Sequence, residues 1–294
     1  MVSQATRPLS ARPAPTPAFF KRAGEGFAPT ELALSPWSAK ALSGAAVGAL
    51  LAVLIDEAVD HAQLHVARLT IDILGEVPLQ RLTGRVNHIR PGRRQDILAA
   101  ELLIDDRVVA RATALRLRAA ASPVAMPRSA FPAPEQVAQQ PFKVDRPLLR
   151  ATRARPIRGG LHEPGPGTMW VAFDVQVVGG VPLSPLARAT ILGDFGSGVG
   201  SALHRSHWNF ANVDITLHLL RCPEGEWVLV DSATESAGTG YALTRCLFAD
   251  CHGIYGRGFQ TLFVTPATPW ASEPPPRAAP TGANQLHKPG GGTS

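Results

Sequence analysis

ALSGAAVGALLAVLI, residues 41–55, decides how this chain is read. Ser43 is its one polar side chain, so the segment is apolar on every face. A helix at a protein surface carries one apolar stripe, whereas a helix apolar all round is buried. At 15 residues the run is short for a membrane span, which needs about 18 or more. Asp56 and Glu57 follow and are expected to stop it. Gly44 and Gly48 should cost about 1 kcal/mol each relative to Ala, a cost accepted where something must come close. Ser38, after Pro36 and Trp37, is the expected N-cap. A buried helix needs a wrapping.

The next stretch supplies it. Residues 65–79, 81–94, 95–105 and 107–118 read as four strands. The first ends at Gly75, the second at Pro91-Gly92, and Asp105-Asp106 turns the third into the fourth. Short connections between successive strands argue for antiparallel pairing. FFKRAGEGFAPTELALS (19–35) reads as a hairpin-like entry. Residues 119–167 are rich in Pro, Ala and Gln, with little periodicity, and read as a long linker or functional loop, which could cover the mouth of a cavity. The pattern then returns: a strand at 168–180, a helix capped by Ser184 with Pro185 at its first position, and four strands at 212–221, 226–236, 239–250 and 253–264. The expected organisation is a tail (1–17), a first repeat (18–118), the linker (119–167), a second repeat (168–266) and a Pro/Gly-rich tail (267–294), both tails disordered. The class is α+β, a sheet rolled round a helix, twice.

Composition excludes less than pattern does. The net charge is +6, spread as Arg along the chain, with no basic block interleaved with aromatics, so nucleic acid is not an expected partner. The bias suits an anionic small ligand. Cys222, Cys246 and Cys251 have no CxxC spacing and read as reduced thiols of a cytoplasmic protein. His204 and His207 lack the further ligands of a metal set, and no metal or cofactor is expected. There is no GxSxG elbow. GDFGSGVG (193–200) has the glycines of a phosphate loop without the GK[ST] ending and reads as a helix end. Asp250-Cys251-His252 reads as loop polarity.

When the repeats are superposed, Asp214 falls opposite Thr70 and Gln260 opposite Ala114. Polar side chains in apolar strands need partners, and the second repeat is therefore expected to carry a single site. Asp214, Thr234 and Gln260 could together orient a water for attack on a carbonyl, with Asp214 as the base. Each taken alone could equally be a surface residue of its strand.

The chain resembles the thioesterase superfamily, acyl-CoA thioesterase II type, in PWSAKALSGAAVGALLA, ARLTIDILGEVPL, IRPGRRQDILAAELLIDDRVVARATALRLR, SPLARATILGDFGSGVG, NVDITLHLLRCPEGEWVLVDSAT and GRGFQTLFV. The resemblance covers about residues 17–266. It implies a double hotdog, two antiparallel sheets each wrapped round a central helix, and hydrolysis of acyl-CoA to free acid and CoA. It implies Asp214, Gln260 and Thr234 as the water-positioning set, with Glu235 as the alternative to Thr234. It also places Ser43-Gly44 where backbone N–H groups polarise the thioester carbonyl. Two rival readings are an acyl-CoA or acyl-chain binding protein without turnover, and a hotdog hydratase, which would need an Asp/His pair near the helix. Edge strands leave a homo-oligomer open.

Overall fold

The computed structural model describes residues 16–58, 64–121, 123–124 and 128–267. The two expected tails therefore lie outside the described residues except at 16, 17 and 267. The apolar run forms α1 (Gly44–Ala58), buried without interruption from Ala45 to Ile55. Its start differs from expectation. Ser43, not Ser38, caps it: the Ser43 Oγ accepts from the Ala46 N–H at 3.2 Å, and Ser38 instead accepts from Lys40 in the preceding turn. Nor do Asp56 and Glu57 end it, since both lie within its last turn.

Around α1 run β3 (Leu64–Ile73), β4 (Thr83–Arg90), β5 (Gln95–Ile104) and β6 (Arg107–Arg118). Asp105 and Asp106 both take positive φ, 48° and 61°, the two-residue hairpin that matches strand twist. The entry segment is a hairpin, β1 (Ala18–Ala23) and β2 (Gly26–Pro29), turning at Gly24 with φ 58°. The expected single strand at 168–180 is two. β8 (Gly167–Phe173) belongs to the main sheet, and β9 (Gln176–Val178) leaves it to pair in parallel with β1. The linker also holds ordered structure. A single helical turn, α2 (Pro147–Arg150), leads into β7 (Thr152–Arg158), which pairs with β8. Pro156 hides that strand from pattern reading; an edge strand tolerates it because one side of its backbone needs no partner.

The second helix, α3 (Pro185–Val199), starts as expected, its Ser184 Oγ accepting from Ala187 at 3.1 Å. It runs through Gly196 and Gly198 instead of ending at Asp194. Then come β10 (Trp208–Leu219), β11 (Val228–Glu235), β12 (Tyr241–Asp250) and β13 (Gly253–Pro266). Strands of the two halves meet at β3 and β10, so the order β4-β5-β6-β3-β10-β13-β12-β11-β8-β7 is one continuous sheet curling round both helices. β1, β2 and β9 form a second, small sheet.

The helices pack on each other and run antiparallel: Gly44 meets Asp194, Gly48 meets Thr190, and Asp56 accepts from the Ser184 hydroxyl. The approach is too close for side chains. A Cβ on Gly44 would lie 2.2 Å from Asp194 Oδ1, and one on Gly48 3.0 Å from Thr190 Cγ2. The two glycines are therefore what lets the helices touch.

Asp250, read from sequence as loop polarity, is a buried anchor. Arg221 grips its carboxylate with both Nη atoms, and the backbone N–H groups of Glu224 and His252 donate to it at 2.8 Å each. Burial opposes the charged carboxylate, but these donors outweigh it and hold the group below the usual carboxylate range. A carboxyl depressed on folding contributes stability above its unfolded pKa and loses it as pH falls through the lower folded value. Arg221→Met should lower the unfolding free energy by about 3 kcal/mol at pH 7, because it strands a buried charge. Urea titration measures this, and the deficit should shrink below about pH 4 as Asp250 takes its proton. Wild-type stability at pH 7 would refute the anchor.

Candidate active site

The sites expected from sequence do not converge, and the reason is one bulge. The register of β10 against β13 slips between Asn212 and Asp214. Phe210 and Asn212 face the helices before the slip, and Ile215 and Leu217 face them after it. A bulge reverses the alternation, so Asp214 falls on the outer face although it stands two residues from the inward Asn212. The Asp214 Oδ1 accepts from the Thr261 backbone N–H at 2.7 Å, which is a structural job.

Gln260 and Thr234 are inward. Thr234, Thr244, Gln260 and Ile215 form one row across β11, β12, β13 and β10. The Thr234 hydroxyl bonds that of Thr244 at 2.7 Å. Glu235, the alternative to Thr234, points to solvent near Arg245. Gln260 is 1 % exposed, and among the described residues its amide finds no hydrogen-bond partner. Its Nε2 lies 3.4 Å from where a Cβ on Gly196 would sit, directly beneath α3. The structure thus brings Gln260 and Thr234 to one face, with Thr244 between them, and leaves Asp214 on the other.

The carboxylate on the inner side is Asp194 of α3. Its Oδ1 accepts from Asn212 Nδ2 at 2.6 Å, and the Ala45 N–H at the start of α1 also donates to it. The second half of one central helix so places a carboxylate against the N-terminus of the other, where the helix dipole favours negative charge. Burial dominates even so and pushes the Asp194 carboxyl up to about 6, with the Asn212 and Ala45 bonds pulling the other way. Asn212 lies diagonally across β10 and β13 from Gln260, the two being held by neighbouring strands. The Asn212 Oδ1, like the Gln260 amide, has no partner among the described residues.

A cavity of about 560 Å³ opens beside this group. Ser43, Gly44 and Val47 of the α1 start, Asp194 and Phe195 of α3, and Asn212 of β10 line it. The linker lines it too, through Arg146, Leu148, Leu149 and Leu161. Asp214, Thr234 and Gln260 are not in its wall. Of the two expected carbonyl-polarising donors, Ser43 is committed elsewhere, since its N–H donates to the Ala33 carbonyl at 2.8 Å. Gly44 retains the expected position at the cavity wall.

Asp194 and Asn212 are what sequence reasoning missed. Asp194 gave a signal: it is the one ionised residue within the apolar stretch 189–199, at a helical position facing the other helix. Taking the stretch as a helix end hid it. Asn212 gave none, because the bulge that turns it inward has no mark in the sequence.

A carboxyl raised on folding holds its proton more tightly when folded. Its contribution to stability is present below the unfolded pKa of about 3.9, fades as pH rises toward 6, and is absent above that. Asp194→Asn should therefore stabilise the protein by about 2–3 kcal/mol at pH 8 and by little at pH 4.5. Chemical denaturation at the two pH values tests this. A variant destabilised at pH 8 would show that Asp194 is not the strained group described.

Comparison with known proteins fits this geometry. A model of the acyl-CoA thioesterase N-terminal domain matches residues 33–117, and one of the acyl-CoA thioesterase C-terminal domain matches residues 125–264. Among curated proteins none matches the sequence. Solved structures share the fold. A hot dog protein of unknown function from Alicyclobacillus acidocaldarius superposes with TM-score 0.66 at 15% identity, over 84% of this chain and 95% of that one. The tesB protein of Mycobacterium avium subsp. paratuberculosis gives 0.58 at 17% identity, over 84% and 96%. An acyl-CoA thioesterase II from Mycobacterium marinum gives 0.57 at 15% identity, over 76% and 90%.

Proposed function

The chain belongs to the acyl-CoA thioesterase family, a double hotdog, and from that premise we propose that it hydrolyses acyl-CoA thioesters in the cavity between α1 and α3, with Asp194 as the base. The observation that carries the reading is the Asp194 carboxylate, buried against the start of α1 at the wall of a cavity large enough for an acyl group. A general base works best when its pKa lies near the working pH, and a carboxyl pushed up to about 6 meets that requirement better than an ordinary one.

The chemistry follows from the parts. A water beside Asp194 gives its proton to the carboxylate as its oxygen attacks the thioester carbonyl carbon. The carbonyl oxygen gains charge and is steadied by the Gly44 N–H and the positive end of α1. The carbon–sulfur bond then breaks, CoA leaves as thiolate, and the proton on Asp194 passes to the sulfur. Asn212 holds Asp194 in place with its Nδ2 and offers its free Oδ1 to the water. Gln260, diagonally behind it on the sheet side, keeps its amide without a partner among the described residues, and the Thr244–Thr234 pair continues its row. The outward Asp214 has no part in this scheme.

CoA release from acyl-CoAs of short to long chain is the test, run on wild type, Asp194→Asn and Asp214→Asn side by side. Asp194→Asn should lose at least 100-fold in kcat, the scale of a general base, while Asp214→Asn keeps most of its rate. Loss confined to Asp214→Asn would reverse the assignment. No release by wild type, with acyl-CoA bound in calorimetry, would favour a binding protein. The base acts unprotonated, so kcat/KM should rise tenfold per pH unit below about 6 and level off above. A profile flat from pH 5 to 8 would remove Asp194 from the role.

A further inference from the structure

The cavity holds a second charged feature that the hydrolysis does not use. Arg205, in the loop between α3 and β10, and Arg146, just before α2, both line it. Among the described residues no carboxylate pairs with Arg205. Arg146 donates to the Asp145 carbonyl at 3.1 Å, and the Asp145 carboxylate is held by Arg150 through two hydrogen bonds of 2.6 and 2.7 Å. Burial and the neighbouring Arg146 both lower the Arg205 pKa, yet a guanidinium stays charged. The result is a half-buried cation, with another cation beside it, facing a cavity. Such a group repays its burial when a planar anion binds it in bidentate fashion.

Position tells which part of a thioester that anion belongs to. Arg205 Nη2 lies 3.7 Å from where a Cβ on Gly198 would sit. Gly198 is four residues beyond Asp194, one turn along the same face of α3, or about 6 Å. The phosphates of CoA are much further from the reacting carbon. Thirteen bonds separate the thioester sulfur from the nearest phosphorus, about 15 Å when extended. An anion one helical turn from the base lies instead on the acyl side, at the end of a chain of four or five carbons.

We propose that Arg205, with Arg146 beside it, binds a carboxylate at the far end of a short acyl group, so that the favoured substrates are thioesters of dicarboxylic acids. The inference rests on the hydrolase reading for its substrate and on Arg205 for its specificity. Carboxylate and phosphate share the chemistry that a guanidinium recognises, and the test separates them.

The experiment compares succinyl- and glutaryl-CoA with butyryl- and pentanoyl-CoA, and the same acyl groups on pantetheine, which lacks the nucleotide phosphates. Wild type, Arg205→Met and Arg146→Met are measured, with circular dichroism to confirm folding. If Arg205→Met does not fold, Arg205→Gln takes its place. The expected result is a wild-type preference in kcat/KM for the carboxylated acyl groups, on CoA and pantetheine alike, that falls at least tenfold in Arg205→Met. An unchanged ratio overturns the proposal. A KM raised equally for every CoA ester and for no pantetheine ester also overturns it, assigning the pair to a phosphate. If wild type turns over no thioester, the hydrolase reading fails separately. Calorimetry of glutarate against pentanoate then decides the subsite: glutarate bound by wild type and lost in Arg205→Met supports it, and no difference refutes it.

Discussion

One contact governs the molecule: α3 lies so close to the start of α1 that only a hydrogen fits between Gly44 and Asp194. Were the helices a methyl group further apart, Asp194 would lose the Ala45 N–H and gain water. The curling sheet, the apolar helices and the glycines at 44 and 48 all serve that proximity. The sheet seals the far sides of both helices, so their near sides have nowhere to turn except toward each other. The carboxylate is then buried by the fold as a whole and not by any one neighbour.

The two ends of the helix pair are related but unequal. At one end Asp194 of α3 meets the first turn of α1. At the other, Asp56 of α1 meets the first turn of α3 through the Ser184 hydroxyl, which itself caps that helix. Both carboxylates lie at a helix N-terminus, as the dipole favours. Ser184 stands between Asp56 and the backbone, whereas Asp194 reaches the Ala45 N–H directly and sits at the cavity wall. Repetition of a fold thus leaves two similar ends, and a few side chains set one of them, at the cavity wall, apart from the other. The asymmetry expected from Asp214 and Gln260 against Thr70 and Ala114 lies elsewhere in the structure, where Asp194 and Asn212 are second-half polar residues at the cavity wall.

Much of the fold was legible because its signals are local. An apolar helix, strands of period two, Asp105-Asp106 and Ser184-Pro185 each state their structure within a few residues. What failed to show depends on distant partners. β7 carries a proline that its edge position excuses, and β9 continues the residues of β8 but answers to β1. The site failed for a sharper reason. Strand alternation predicts that Asn212 and Asp214 share a face, and the single bulge between them separates the two. Resemblance points to the apolar strand that bears an Asp, but not to which side of the sheet that Asp takes. Ser43 illustrates the same limit: it stands where a donor is expected, yet Ala33 has already taken its N–H.

Burying Asp194 is unfavourable, and the structure offsets that only in part. Two donors reach the carboxylate, no cation pairs with it among the described residues, and its proton is held more tightly than in water. A fold selected for stability alone would place an amide or an apolar side chain there. Near it Asn212 Oδ1 and the Gln260 amide keep hydrogen-bonding capacity unspent, though buried polar atoms usually find partners. Local rules broken together at and just behind one wall of one cavity are better explained by chemistry than by packing. The same logic extends to Arg205, a charge of the opposite sign left without a carboxylate among the described residues, one helical turn away. The proposed proton acceptor and the proposed anion receptor stand at a spacing that matches a short acyl chain held at both ends.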